Sequence, residues 1–94
     1  EIAMVGVAAS LTRTNGKCTG VRVALGAVAP TPMLAESAAG AVEGKSPSAE
    51  VFAKAGEAAA KESKPITDIR ASAEYRKKMV AVLTRRALAR AAGL

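Results

Sequence analysis

From Ile69 onward the chain carries no glycine or proline until Gly93. That uninterrupted run constrains the rest of the fold, because nothing in it stops a helix. The segment IRASAEYRKKMVAVLTRRAL, residues 69–88, reads as one long helix. At 100° per residue, Tyr75, Met79, Val82 and Leu83 fall on a single stripe, the pattern of a helix lying on a core. Ser72 is the expected N-cap, since its hydroxyl can accept from a free first-turn N–H. Arg85, Arg86 and Arg90 fall in the last turns, where cations suit the negative end of the helix dipole. Arg86 shares the apolar stripe. Either its stem packs while its head reaches water, or it pairs with a carboxylate such as Asp68 or with a neighbouring subunit.

A helix of this kind needs a layer to lie on, and the first third of the chain supplies strands. Residues 1–12 are rich in Val and Ala and lack polar positions at helical spacing. They read as a strand buried on both faces, with a helix as the competitor. Thr14-Asn15-Gly16-Lys17 is a turn, since Asn-Gly suits the two positive-φ positions of a type I′ hairpin. Residues 18–29 read as the return strand, with Val21, Val23 and Leu25 on one face and Arg22, Ala24 and Gly26 on the other. Gly20 and Gly26 suggest a bulge or a close backbone approach.

Pro30 and Pro32 break regularity, and residues 31–34 can form a short third strand. Residues 35–43 read as a short helix closed by Gly44 in the left-handed conformation. Ser46-Pro47 is expected to open the next helix, which runs to about Glu62. Val51, Phe52, Ala55, Ala58 and Ala59 form its inner stripe, and Pro65 ends it. Strands first and helices after give an α+β domain: a small antiparallel sheet of about three strands, with three helices packed on one face as a two-layer sandwich.

Ninety-four residues make one small domain with a thin core. With one Phe, one Tyr and no Trp, that core must be built from short aliphatic side chains, so its elements must approach closely. The absence of His removes a Ser-His-Asp triad and most metal sites. The single cysteine, Cys18, has no internal partner for a disulfide, which makes a reducing cytoplasm the expected location. No apolar run has the length of a membrane span. The chain begins without Met inside an apolar run, the look of a piece of a longer polypeptide.

The net charge of +6 raises the question of nucleic acid. The basic residues lack the interleaved aromatics that stack on bases, so no nucleic-acid partner is expected. A solvated face, or one turned to an acidic subunit, explains the charge. A non-catalytic basic scaffold domain, contacting an acidic protein or nucleic acid, is the alternative. No glycine spacing makes a phosphate-binding loop, no carboxylate pair is placed for acid–base work, and Tyr75 is expected in the core with a satisfied hydroxyl.

Two stretches carry a resemblance. RVALGAVAPTP at residues 22–32 and PITDIRASAEYRKKMVAVLTRRAL at residues 65–88 resemble the C-terminal domain of the flavoprotein (medium) subunit of aerobic carbon monoxide dehydrogenase and related molybdenum hydroxylases, the xanthine dehydrogenase family. The helix entry Asp68-x-Arg70-x-Ser72-x-x-Tyr75-Arg76 carries it most specifically. The resemblance covers essentially all of the chain. It implies an oxidoreductase domain that closes over the isoalloxazine of FAD, whose phosphates are held by domains upstream. Electrons would reach that FAD from a molybdopterin centre in a large subunit through [2Fe–2S] clusters in a small subunit. Ile2 maps to the bulky residue near the flavin, with Glu1 where the family has Asp and Ile where some relatives have Tyr. Thr14, in a shorter version of the family's hairpin, maps near the flavin edge. Tyr75 and Arg76 map to structural positions.

Overall fold

A computed structural model describes residues 6–26, 33–63 and 70–94, with the backbone alone for 70–73. Strand β1 (Gly6–Thr14) and strand β2 (Lys17–Gly26) form an antiparallel hairpin. Asn15 has φ 53° and Gly16 φ 77°, so both central residues take the left-handed conformation that a type I′ turn demands. The two-residue strand β3 (Met33–Leu34) pairs antiparallel with the other edge of β2, giving the order β1-β2-β3.

Gly20 makes a bulge. Ser10 pairs with Arg22 and Thr12 with Thr19, so Gly20 and Val21 together oppose Leu11. Gly20 has φ +60°, which suits glycine at the first bulge position. The extra residue shifts the alternation of β2. Cys18 and Val21, three apart, therefore both reach the core, together with Val23 and Leu25.

Three helices follow: α1 (Glu36–Val42), α2 (Ala49–Glu62) and α3 (Arg70–Ala91). Helices α1 and α3 lie against β2 and β1, and α2 packs across both helices. The α+β fold read from the sequence is the one observed. The core is Val21, Val23, Leu25, Ala38, Val42, Phe52, Ala55, Ala59, Val80 and Leu88, with Cys18 among them.

Five local expectations need correction. Strand β1 is covered on one face only: Val7, Ala9 and Leu11 pack on the core, whereas Ala8 and Ser10 are exposed. Alanine is neutral enough to sit on either side, so an Ala-rich run does not by itself mean two buried faces.

Ser48, not Ser46, caps α2, accepting from Val51 N–H at 3.1 Å. The chain is detained before it. Cys18 N–H donates to Lys45 O and Gly44 N–H to Cys18 O, which ties the turn at residues 44–45 to β2 before the helix can begin. Gly44, with φ +77°, follows α1 as expected.

Helix α3 starts at Arg70, so Ser72 lies inside it rather than at its cap. Its buried stripe is Val80, Thr84, Leu88 and Ala92, not the one through Tyr75 and Val82. Tyr75 is 63% exposed and Arg86 is exposed. The helix carries apolar residues on both sides, so periodicity alone does not choose between them. Asp68, the partner considered for Arg86, lies outside the described residues.

Helix α3 ends in a Schellman closure: Gly93, at φ +81°, donates to Arg90 O, and Leu94 donates to Ala89 O. Arg13 adds a hydrogen bond from its guanidinium to Ala92 O at 3.0 Å, tying the hairpin to the helix end. Within α3, the Thr84 hydroxyl is fully buried and has no partner among the described residues. Thr84→Val removes that hydroxyl at nearly constant volume and should raise stability by about 1 kcal/mol, read as a higher urea midpoint. An unchanged or lower midpoint would mean that the hydroxyl is satisfied in solution.

Candidate functional site

The helices cover one face of the sheet, and the other face is open. The register sets what that open face shows: Gly6 beside Gly26, then Ala8 beside Ala24 and Leu34, then Ser10 beside Arg22. Two glycines and two alanines leave the backbone nearly bare, and a shallow hollow of about 400 Å³ lies over Gly6, Ala8, Ala24 and Gly26. A Cβ built on Gly6 would meet nothing within 4 Å. Leu34, 52% exposed, and Arg22 border this floor. A flat, apolar surface of this kind suits a planar apolar group or a packed neighbouring layer.

The outer edge of β2 is closed by a side chain. The bulge turns the N–H groups of Gly20 and Val21 the same way, and the Glu43 carboxylate accepts both, at 3.1 and 3.0 Å. Further along, Val23 O accepts from Ala35 N–H at 2.8 Å. Glu43 thus takes the place of a strand where β3 has ended. A groove of about 290 Å³ lies beside it, between β2 and α1, with Arg22, Leu34 and Glu36 in its lining. Nothing in the sequence pointed to Glu43, because its partners lie 22 and 23 residues away. Glu43→Ala should lower stability by about 1–2 kcal/mol, mostly by stranding the half-buried Val21 N–H, and Glu43→Gln by less. Urea unfolding of the two variants beside the parent measures this; equal midpoints would remove Glu43 from any structural role.

Neither place shows an arrangement for acid–base or nucleophilic chemistry. Among the described residues there is no group of three His, Cys, Asp or Glu placed to hold a metal. Cys18, the one thiol, is fully buried in the core. No helix among the described residues is long and apolar enough to cross a membrane.

Of the two residues singled out for cofactor contact, Ile2 lies outside the described residues. Thr14 is exposed at the hairpin tip, where its hydroxyl meets that of Thr19 at 3.1 Å. Eight strand steps separate it from Gly6 on β1, or about 26 Å. Thr14 is therefore remote from the small-residue floor at the other end of the strand. Arg76 makes an interaction within the structure, and Tyr75 stands mostly in solvent.

The family model for the CO dehydrogenase flavoprotein C-terminal domain matches residues 1–91. The chain belongs to this family. Within it, the carbon monoxide dehydrogenase medium chain of Afipia carboxidovorans is 37% identical over 91 residues, which is 97% of this chain and 32% of that one. A carbon monoxide dehydrogenase structure from Hydrogenophaga pseudoflava superposes with a TM-score of 0.87 at 34% identity, covering 95% of this chain and 31% of that one. Quinoline 2-oxidoreductase from Pseudomonas putida 86 superposes with a TM-score of 0.86 at 32% identity over the same shares. The chain thus spans about a third of each relative. The CO dehydrogenase flavoprotein C-terminal domain fold recurs in proteins named for carbon monoxide and for quinoline.

Proposed function

We propose that this domain is the C-terminal part of the FAD-carrying subunit of a molybdenum hydroxylase, and that its open sheet face closes over the flavin isoalloxazine. The observation that carries this reading is the floor of Gly6, Ala8, Ala24 and Gly26, left bare in a member of a flavoprotein domain family. The residues fit a covering role: the floor is flat, apolar and free of ionisable groups, so it can exclude water from one side of a planar ring. They do not fit a phosphate-holding role. No glycine-rich loop leads into a helix N-terminus among the described residues, so the phosphates are held elsewhere in the longer polypeptide.

FAD, when bound, supplies the redox chemistry. The contribution of this chain is to bind, shield and orient. Ile2, close in sequence to the start of β1, belongs to the flavin-facing end in this reading. Thr14, at the remote hairpin tip, would meet at most the rim of the assembly. The partners are a large molybdopterin subunit and a small iron–sulfur subunit, in the cytoplasm. Electrons pass from the molybdenum centre through [2Fe–2S] clusters to FAD. The substrate is chosen outside this domain.

The test is the visible spectrum of the full-length polypeptide, purified with its accompanying subunits, for the parent and for Ala24→Glu. The parent should show flavin absorption with iron–sulfur shoulders, and molybdenum on elemental analysis. Ala24→Glu places a carboxylate on the floor, where burial without a partner costs several kcal/mol. Flavin occupancy should fall at least about 10-fold, whereas Thr14→Ala should leave it unchanged. A colourless parent that stays colourless with added FAD would replace this reading with the basic scaffold alternative. Full flavin occupancy in Ala24→Glu would remove the floor from the flavin.

A further inference from the structure

Helix α3 has a second apolar stripe that its own core does not use. At 100° per residue, Tyr75, Met79, Val82 and Arg86 lie roughly opposite Val80, Thr84 and Leu88. The buried residues on α3 are Val80, Thr84 and Leu88, whereas Tyr75 is 63% exposed. Met79, Val82 and Leu83 are half-buried. Toward the C-terminal end the stripe opens into a groove of about 320 Å³ between α3 and β1. Its floor is Val7, Leu83 and Ala87, and its rim is Arg86 and Arg90.

The charge on this helix is one-sided. Lys77, Lys78, Arg85, Arg86 and Arg90 are all exposed, and none meets a carboxylate among the described residues. From residue 74 to the end of α3 the only acid is Glu74. A Tyr, three aliphatic or thioether side chains and two guanidinium groups that meet no carboxylate among the described residues form the composition of an interface centre rather than of a solvated face. Exposed apolar residues contiguous with such a groove mark a contact surface.

We propose that the outer stripe of α3, from Tyr75 to Arg90, docks a separate protein subunit that presents an apolar strip ending in carboxylates. The charge fixes the chemistry of the occupant. A basic or neutral surface would leave Arg86 and Arg90 to be desolvated without compensation, whereas acidic side chains entering the groove would pair with both. Tyr75 and Met79 supply the apolar anchor, and the arginines set orientation and salt dependence. The proposal rests on the functional reading above only in that the partner is sought among the subunits that accompany the native polypeptide.

The test uses that native complex. A photo-crosslinking aromatic amino acid in place of Tyr75, followed by mass spectrometry, identifies what lies on the stripe. Arg86→Glu with Arg90→Glu measures the charge contribution by co-purification and light scattering at several salt concentrations. The expected result is an adduct to a different chain, within a segment containing Asp or Glu, and association weakened at least about 30-fold by the double reversal. The spectrum of the same samples keeps the two readings apart: subunit loss with flavin retained supports docking at α3. A colourless parent that still crosslinks would sink the flavin reading and leave the docking surface standing. The proposal is overturned by an adduct only within the same polypeptide, by one to a second copy, by no adduct, or by unchanged association of the double variant.

Discussion

Phe52→Ala is expected to cost the domain about 3–5 kcal/mol, the largest loss from any single side chain here. Phe52 is fully buried and is the bulkiest of the buried side chains. It is also the only phenylalanine. The rest of its core consists of Val, Ala, Leu and one Cys. Short, branched side chains on packed helices have little reach to refill the space an aromatic ring vacates, so most of the cavity term should be realised. A small domain has only about 5–15 kcal/mol in total, so the variant should sit near its unfolding threshold at room temperature. Phe52→Leu should lose less than half as much, because most of the volume is kept. Urea titration of the full-length polypeptide, followed by far-ultraviolet circular dichroism, measures both. Coincident curves for Phe52→Ala and the parent would show that this ring is not the centre of the core.

The second large effect is at Gly56, where two simple expectations oppose each other. Helix propensity favours Gly→Ala by about 1 kcal/mol. Packing forbids it. A Cβ on Gly56 would be driven into the carbonyl oxygen of Ala81 and would lie 3.2 Å from its carbonyl carbon. Those atoms belong to the backbone of α3, and a helix backbone cannot turn aside as a side chain can. The only relief is to push α2 and α3 apart, which opens the core along their whole contact. Overpacking of this sort costs about 1–3 kcal/mol or more, so the steric term wins. Gly56→Ala should destabilise by about 1–2 kcal/mol and Gly56→Leu by about 3 kcal/mol. Gly40, in α1, is the internal comparison: a Cβ there meets nothing within 4 Å. Gly40→Ala should therefore gain about 0.5–1 kcal/mol from propensity alone. If both alanine variants moved the midpoint in the same direction, the close crossing of α2 and α3 would not exist in solution.

These two positions also show what a sequence makes visible. Phe52 stands out, because a lone aromatic at helical spacing among alanines has few other places to go. Gly56 does not, because in the run Ala55-Gly56-Glu57-Ala58 it looks like one more small residue; its necessity comes from a carbonyl on another helix. The hairpin was legible since Asn15-Gly16 states its own turn, and the bulge since Gly20 interrupts the alternation of β2. Glu43 was not, because a carboxylate that pairs with amides in a distant strand leaves no local trace. The buried stripe of α3 is ambiguous in the sequence for a specific reason: two apolar stripes of similar strength occupy one helix, and only the packing of β1 and α2 selects Val80, Thr84 and Leu88. The candidate site was legible as the identity of a family but not as a surface, since the open face of the sheet is built from glycines and alanines, which announce nothing.

The pairing of β1 with α3 has a consequence for how the chain is made. Strand β1 is synthesised well before α3, yet α3 supplies the layer that lies on β1. Arg13 and Ala92, which are hydrogen-bonded, lie 79 residues apart. At about 5–20 residues per second, roughly 4–16 s pass between translation of the first and of the second. For that interval Val7, Ala9 and Leu11 stand without their helical cover, on a strand whose outer edge has no partner strand among the described residues. Between the synthesis of β1 and of α3 the domain therefore waits with an adhesive edge exposed. Arg13 and Lys17, near the hairpin tip, and Arg22 opposite Ser10 place positive charge on both strands of the hairpin, and charge of this kind disfavours edge-to-edge pairing.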